Sequence, residues 1–300
     1  EAKRHLTADT TSLKTEVRKL SRRGDTNNKK PSSVSAYNNT IHSLQSEITQ
    51  TENRANAIIN KPIRSVEEVN NALQQVNQLN QQLTEAISQL QPLSNNDALK
   101  AARLELENKI NQTVQTDGMT QQSVDAYQNA KREAQNESNT ALALINNGDA
   151  TEQQITTETD RVNQQTTNLT QAINGLTVNK EPLETAKTAL QNNIDQVPST
   201  DGMTQQSVAN YNQKLQIAKN EINTINNVLA NNPDVNAIKT NKAEAERISN
   251  DLTQAKNNLQ VDTQPLEKIK RQLQDEIDQG TNTDGMTQDS VDNYNDSLSA

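Results

Sequence analysis

Thr200-Asp201-Gly202-Met203-Thr204 runs directly into Gln205-Gln206-Ser207-Val208-Ala209-Asn210-Tyr211. The pentapeptide returns as Thr116-Asp117-Gly118-Met119-Thr120 and as Thr283-Asp284-Gly285-Met286-Thr287. Each copy is followed by Ser-Val-x-x-Tyr, which places Val124 and Tyr127, Val208 and Tyr211, Val291 and Tyr294 in register. A decayed fourth copy lies upstream, as Asn28-Lys29-Lys30-Pro31-Ser32-Ser33-Val34 with Tyr37. These motifs hold every tyrosine of the chain, and the three full ones hold every methionine. The tyrosines stand 90, 84 and 83 residues apart. A near-constant period of that size marks a repeat protein.

The motif has a mechanical reading. Gly202 suits a left-handed position between two helices, where a side chain would clash. Thr204 is an N-cap whose hydroxyl takes an otherwise unpaired backbone N–H. Met203 then precedes the cap and Val208 lies in the first turn, the pair that forms a hydrophobic staple. Ser207 stands where a capping box wants Glu or Gln, so that half of the device is missing. In the decayed copy Asn28 replaces the glycine, which a left-handed position tolerates, and Pro31 suits the first helical turn. Lys29 and Lys30 lose the staple and the cap. The motif reads first as a helix-start device, with a ligand-binding loop as the rival.

Composition bounds what the chain can be. Only 31% of its 300 residues are hydrophobic and 1% are aromatic, against about 45–50% apolar in an ordinary globular domain. One large core is therefore not expected, and Asn plus Gln at about a quarter of the chain raise disorder as a rival. Periodicity argues against it. With no cysteine there is neither a disulfide framework nor thiol chemistry. No apolar run is long enough to span a membrane, and neither a signal peptide nor a sorting motif is present. Residue 300 falls inside a fourth period, as expected of a piece of a longer array. The net charge is −9, but residues 1–30 carry +5. That basic start reads as a solvated helix face, with contact to an anionic polymer as the rival. The acidic bulk and the lack of stacking aromatics argue against nucleic acid.

Apolar spacing divides the chain into units of about 84 residues: 1–92, 93–177, 178–260 and a partial unit 261–300. Residues 1–23 place Leu6, Leu13, Val17 and Leu20 at helical spacing. Val34, Tyr37, Ile41, Leu44, Ile48, Ala55 and Ile58 form a second stripe, with a gap at Thr51. Ser65 and Glu68 form a capping box for a third helix. The second unit repeats the plan, with Asp149 and Glu152 expected to cap its third helix. In the third unit the first helix runs through Leu190, Ile194 and Val197. The second carries Val208, Tyr211, Leu215, Ala218, Ile222, Ile225 and Leu229 as its core face. Leu83-Thr84-Glu85-Ala86, Leu169-Thr170-Gln171-Ala172 and Leu252-Thr253-Gln254-Ala255 match across units. Three helices of about 20–28 residues per unit, each with one narrow apolar stripe, predict an all-α fold of tandem three-helix bundles. An odd helix count puts the ends of a unit at opposite ends of its bundle, so the array should extend as a monomeric rod. At about 38 Å per 25-residue helix, its length should exceed about 120 Å.

Material for chemistry is sparse. His5 and His42 have no ligand spacing between them and no cysteine partners. Asp284, Asp289 and Asp292 suggest calcium, but their spacing is not that of an EF-hand loop, and Asp289 is Gln121 and Gln205 in the other units. The reading is of a protein that is not an enzyme and uses no cofactor or metal.

Tandem units marked by Thr-Asp-Gly-Met-Thr and Ser-Val-x-x-Tyr, in a cysteine-free Asn/Gln-rich chain, resemble the FIVAR repeats of the giant staphylococcal extracellular matrix-binding proteins (the Ebh/Embp group). The resemblance covers essentially the whole chain. It is strong over residues 93–300 and weaker over 1–92, where the motif has decayed. It implies a surface-exposed, cell wall-associated or extracellular adhesin that binds host fibronectin and contributes to adherence and biofilm. The residues alone favour a structural spacer instead, since no exposed aromatic or arginine anchor announces a binding hot spot. The resemblance tips the reading toward an adhesin of many weak contacts; it does not indicate which residues touch the ligand.

Overall fold

The structure is a computed structural model that describes residues 6–299. Among them the chain forms helices α1 (Thr11–Lys19), α2 (Pro31–Asn60), α3 (Val66–Ser88), α4 (Asp97–Ile110), α5 (Gln121–Ile145), α6 (Glu152–Asn174), α7 (Glu181–Asp195), α8 (Gln205–Ala230), α9 (Val235–Asn257), α10 (Gln264–Gln279) and α11 (Gln288–Ser299), and no strand. Helices pack in consecutive threes: α1–α3, α4–α6 and α7–α9. The fold is all-α, built of tandem helical bundles. By contact the chain falls into two units. One holds α1–α6, reaching Thr116 and resuming at Gln121–Leu176; the other holds Asp117–Thr120 and everything from Thr177 on, with α7–α11.

The first helix of each bundle is shorter than its apolar spacing predicts. α1, α4 and α7 have 9, 14 and 15 residues, not 20–28. For α1 the cause is local competition for a backbone donor at its start, whereas α4 and α7 open where the spacing predicts and stop short of Val114 and Val197. Asp9 accepts from the Thr11 N–H at 3.0 Å and from its hydroxyl at 2.7 Å. Asn95 accepts from the Asp97 N–H, Asn179 from Glu181 and Asp262 from Gln264. Each Asx side chain bonds the backbone two residues on and opens the helix there. Leu6, upstream of this stop, is exposed, and His5 lies outside the described residues. Val197, expected on the third unit's first helix, lies beyond the end of α7 and is 71% exposed.

Third helices open on side-chain caps. Ser65 and Glu68 form a capping box on α3. On α6 the cap is Thr151 with Gln154, not Asp149 with Glu152. Threonine two residues closer to the helix body takes the cap, and the aspartate is engaged elsewhere. Asp234 caps α9 by accepting from the Ala237 N–H at 2.7 Å.

Each bundle has its own core. In the third, Leu183, Leu190, Tyr211, Ala218, Ile225, Ala245 and Leu252 are buried. Leu99, Leu106, Ala134, Ala141, Val162 and Leu169 fill the second; Leu13, Leu20, Ile48, Val76, Leu79 and Leu83 fill the first. The middle helices show why these cores are thin. On α8 the fully inward line is Tyr211, Ala218 and Ile225 at heptad spacing, whereas Leu215 and Ile222 are half-buried flankers. A helix between two partners turns one line of side chains fully inward, and its i+4 neighbours sit at the rim. Thr51 on α2 and Ser138 on α5 put polar side chains at buried positions of the middle helices. α10 and α11 bury no residue, so Leu266, Ile269 and Leu273 stay exposed.

Candidate functional site

The recurring motif forms the same loop wherever it occurs. Gly118, Gly202 and Gly285 take φ of 80°, 72° and 81°, and Asn28 takes 54°. Left-handed backbone disfavours a side chain, and Asn is among the residues that tolerate it best. Thr204 then caps α8, its side chain accepting from the Ser207 N–H.

What the loop does beyond starting a helix is visible only in three dimensions. Met203 pairs with Val261, Met119 with Val178 and Lys29 with Pro92, each as an isolated antiparallel bridge. The Thr204 N–H donates to the Gln260 carbonyl at 2.7 Å, and the Asp262 N–H donates to the Gly202 carbonyl at 2.8 Å. Thr120 and Thr177, and Asn179 and Gly118, repeat this at 2.7 and 2.9 Å; Lys30 and Gln91, and Leu93 and Asn28, at 2.8 and 3.1 Å. The motif of each complete repeat is thus latched to the connector that leaves its own third helix. Pro92 is compatible because the bridge uses the N–H of Leu93 and the carbonyl of Gln91, never the nitrogen proline lacks. Ser207, read from sequence as a defective capping-box position, accepts from the Gln260 N–H at 3.2 Å and donates to the Thr204 carbonyl. Ser33 does the same for Gln91 and Lys30. In the last full copy, at the start of the partial unit, Gly285 keeps its left-handed φ, but Met286 is 62% exposed and forms no bridge.

The motif tyrosines differ in what they meet. Tyr37, Tyr127 and Tyr211 are buried, and Val124, Val208, Val291 and Tyr294 are half-buried. The Gly24 N–H donates to the Tyr37 hydroxyl at 2.8 Å, tying the loop after α1 to α2. The Tyr211 hydroxyl has no partner, and burial raises its pKa.

Motif loops also meet the start of a third helix in the next repeat. A Cβ on Gly118 would lie 2.4 Å from Val235 Cγ1, and the Asp117 carboxylate accepts from Lys239 Nζ at 2.9 Å. That hydrogen bond, then the lysine charge, lowers the Asp117 pKa. Asp117, Asp201 and Asp284 are all exposed.

Two carboxylates missed from sequence face one another in the second bundle. Glu158 on α6 is 4% exposed and lines an open groove of about 590 Å³ with Thr140, Leu144, Thr157 and Arg161. Its Oε1 and that of Glu137 on α5 are buried without a conventional donor. A proton shared between the two oxygens would satisfy both. Burial first, then the charge and hydrogen bond of Glu137, raise the Glu158 pKa, while Arg161 opposes them. The folded-state value lies above the unfolded one, so the stabilisation is complete below the unfolded carboxyl range. It is lost as pH rises through the folded value. Glu158→Gln should therefore stabilise the second bundle near neutral pH, by on the order of 1 kcal/mol, and leave it unchanged in mild acid. Denaturant unfolding at the two pH values checks this; an equal effect at both would refute the shared-proton account.

Among the described residues no group of three His, Asp or Glu side chains could hold a metal ion, and Asp284, Asp289 and Asp292 all lie exposed. His42 is exposed on α2. No described helix is long and apolar enough to cross a membrane.

The chain is 53% identical over all 300 residues to the extracellular matrix-binding protein EbhB of Staphylococcus aureus strain Newman, of which it spans 4%. It is equally similar to the extracellular matrix-binding protein ebh of S. aureus strain NCTC 8325, of which it spans 3%. A solved structure from "Characterization of extracellular matrix binding protein- (Embp)-mediated Staphylococcus epidermidis adherence to fibronectin" is 28% identical. The match covers 55% of this chain and 98% of that one, at a TM-score of 0.32. The FIVAR domain matches residues 16–91, 102–177 and 186–260. Each match runs from within the first helix of one bundle to the connector after its third, and together they cover most of the sequence; the chain belongs to the FIVAR family.

Proposed function

We propose that this chain is a non-enzymatic repeat region of a bacterial cell-surface adhesin that binds host fibronectin through many weak contacts, supporting adherence and biofilm. The observation that carries this reading is 53% identity along the whole chain to proteins named for binding extracellular matrix. The repeated construction supports it. The three-helix plan is repeated in three complete bundles, so an affinity too weak to matter in one repeat would gain through linkage. On this reading the domains are 1–92, 93–177, 178–260 and the partial 261–300, each acting as a unit, and the molecule works as a monomer at the cell surface.

A spacer is the second reading, and one observation favours it. The motif loops, the strongest internal signature, are latched to connectors, and two of them also meet the next repeat. The loops therefore offer a ligand little backbone. The deciding measurement is retention of the whole chain on surface-immobilised fibronectin against an albumin surface. Selective retention is expected on fibronectin. Equal or absent retention would leave the spacer.

A further inference from the structure

Helix α2 lacks the cap that its counterpart α8 has. Lys30 occupies the N-cap position and makes no side-chain cap bond, whereas Thr204 caps α8. The missing bond is nevertheless made. The Ser32 N–H, in the first turn of α2, donates to Asp149 Oδ1 at 2.9 Å, and the Ser32 hydroxyl donates to the same oxygen at 2.6 Å. Asp149 lies 117 residues further along the chain, in the turn before α6 of the second repeat.

Three details make this a built contact. Asp149 is not needed by its own helix, because Thr151 caps α6 with Gln154. The Asp149 N–H donates to Asn147 Oδ1 at 3.0 Å, which fixes the turn that carries the carboxylate. The residue between them is Gly148, where a Cβ would stand 2.8 and 2.9 Å from the Pro31 ring. Any side chain there would push the two repeats apart. The Ser32 hydrogen bonds, and then Lys30, lower the Asp149 pKa, in keeping with an ionised cap beside a helix N-terminus.

We infer that the second repeat supplies in trans the N-cap that the first repeat lost when its motif decayed to Asn28-Lys29-Lys30-Pro31. The first turn of α2 is then ordered only while the Asn147–Asp149 turn of the neighbouring repeat is folded. The first repeat becomes a dependent of the second, through one carboxylate. At the equivalent contact of the next motif, Lys239 reaches the exposed Asp117 instead, a charge pair of small consequence.

Hydrogen exchange of the full chain, read by mass spectrometry at the start of α2, tests this. Asp149→Ala should speed exchange over residues 32–35 by about fivefold, the measure of a lost cap. Asp149→Asn should have a smaller effect in the same place. Lys30→Thr restores a local cap, so Lys30→Thr with Asp149→Ala should exchange like the parent chain. Unchanged exchange at residues 32–35 in Asp149→Ala overturns the inference. So does faster exchange confined to the start of α6, or a loss at α2 that Lys30→Thr fails to rescue.

Discussion

Leu252→Ala should cost the third bundle about 2–4 kcal/mol. Leu252 is fully buried in the core cluster shared by α7, α8 and α9, and it is the counterpart of Leu83 and Leu169, buried in the other two bundles. Its removal leaves a void that α8 is poorly placed to fill. The fully inward line of that helix offers Tyr211, Ala218 and Ile225, and the alanine has no volume to spare. Stability in a repeat array is a sum of unit and neighbour terms, so the loss should appear as early unfolding of one bundle. Urea unfolding followed by segment-resolved hydrogen exchange reads this directly. Asn212→Ala, at an exposed position of α8, should shift stability by less than about 0.5 kcal/mol. Equal losses from the two changes would mean that the buried face of the bundle is misplaced.

The second large effect separates two glycines that the sequence presents as equivalent. Gly202→Val should cost roughly 1–2 kcal/mol, because valine must enter a left-handed conformation. No atom lies within 4 Å of the position its Cβ would take, so strain in the backbone is the whole cost. Gly118→Val carries that strain and meets Val235 Cγ1 at 2.4 Å. Overpacking adds about 1–3 kcal/mol, giving a larger total loss. Val235→Ala should recover part of the Gly118→Val defect and none of the Gly202→Val defect. Thermal unfolding of the four variants is sufficient. If Val235→Ala rescues both equally, or neither, the contact at Gly118 has no energetic weight.

Much of the fold was legible because its signals are local. Apolar spacing located the long second and third helices, and Ser65 with Glu68 announced the start of α3. Asn28 and the motif glycines read as left-handed positions, and the structure gives them positive φ. The misreadings arise where a polar side chain has more than one possible partner. Asp9 opens α1 late, which excludes Leu6 from the helix. Asp149 stands two residues before a capping threonine, and its true partner lies in another repeat. The Ser207 hydroxyl oxygen accepts from a connector N–H about 50 residues away, which no capping rule anticipates. A faint signal for the latch was present: Leu176-Thr177-Val178-Asn179 and Leu259-Gln260-Val261-Asp262 share a pattern just after the third helices. The Glu137–Glu158 pair left no trace in sequence, since only the packing of α5 on α6 makes it a pair.

The latch also sets how a repeat comes apart. It joins residues separated by about 60 positions, and closing a chain segment of that length has an entropic cost that grows only slowly with length but starts high. Two backbone hydrogen bonds contribute about 1 kcal/mol each, too little to close the segment alone. The latch must therefore form late, after the helices have brought its two sides together, and it should be the first element lost. Its opening frees the motif loop and the outgoing connector in one event while the bundle interior stays packed. Such partial openings of low free energy are where exchange and proteolysis begin. Each latch is therefore a small, reversible gate in time, and a protease acting on the folded chain should cut first at the motif loops and the outgoing connectors, before any helix of the bundle interior.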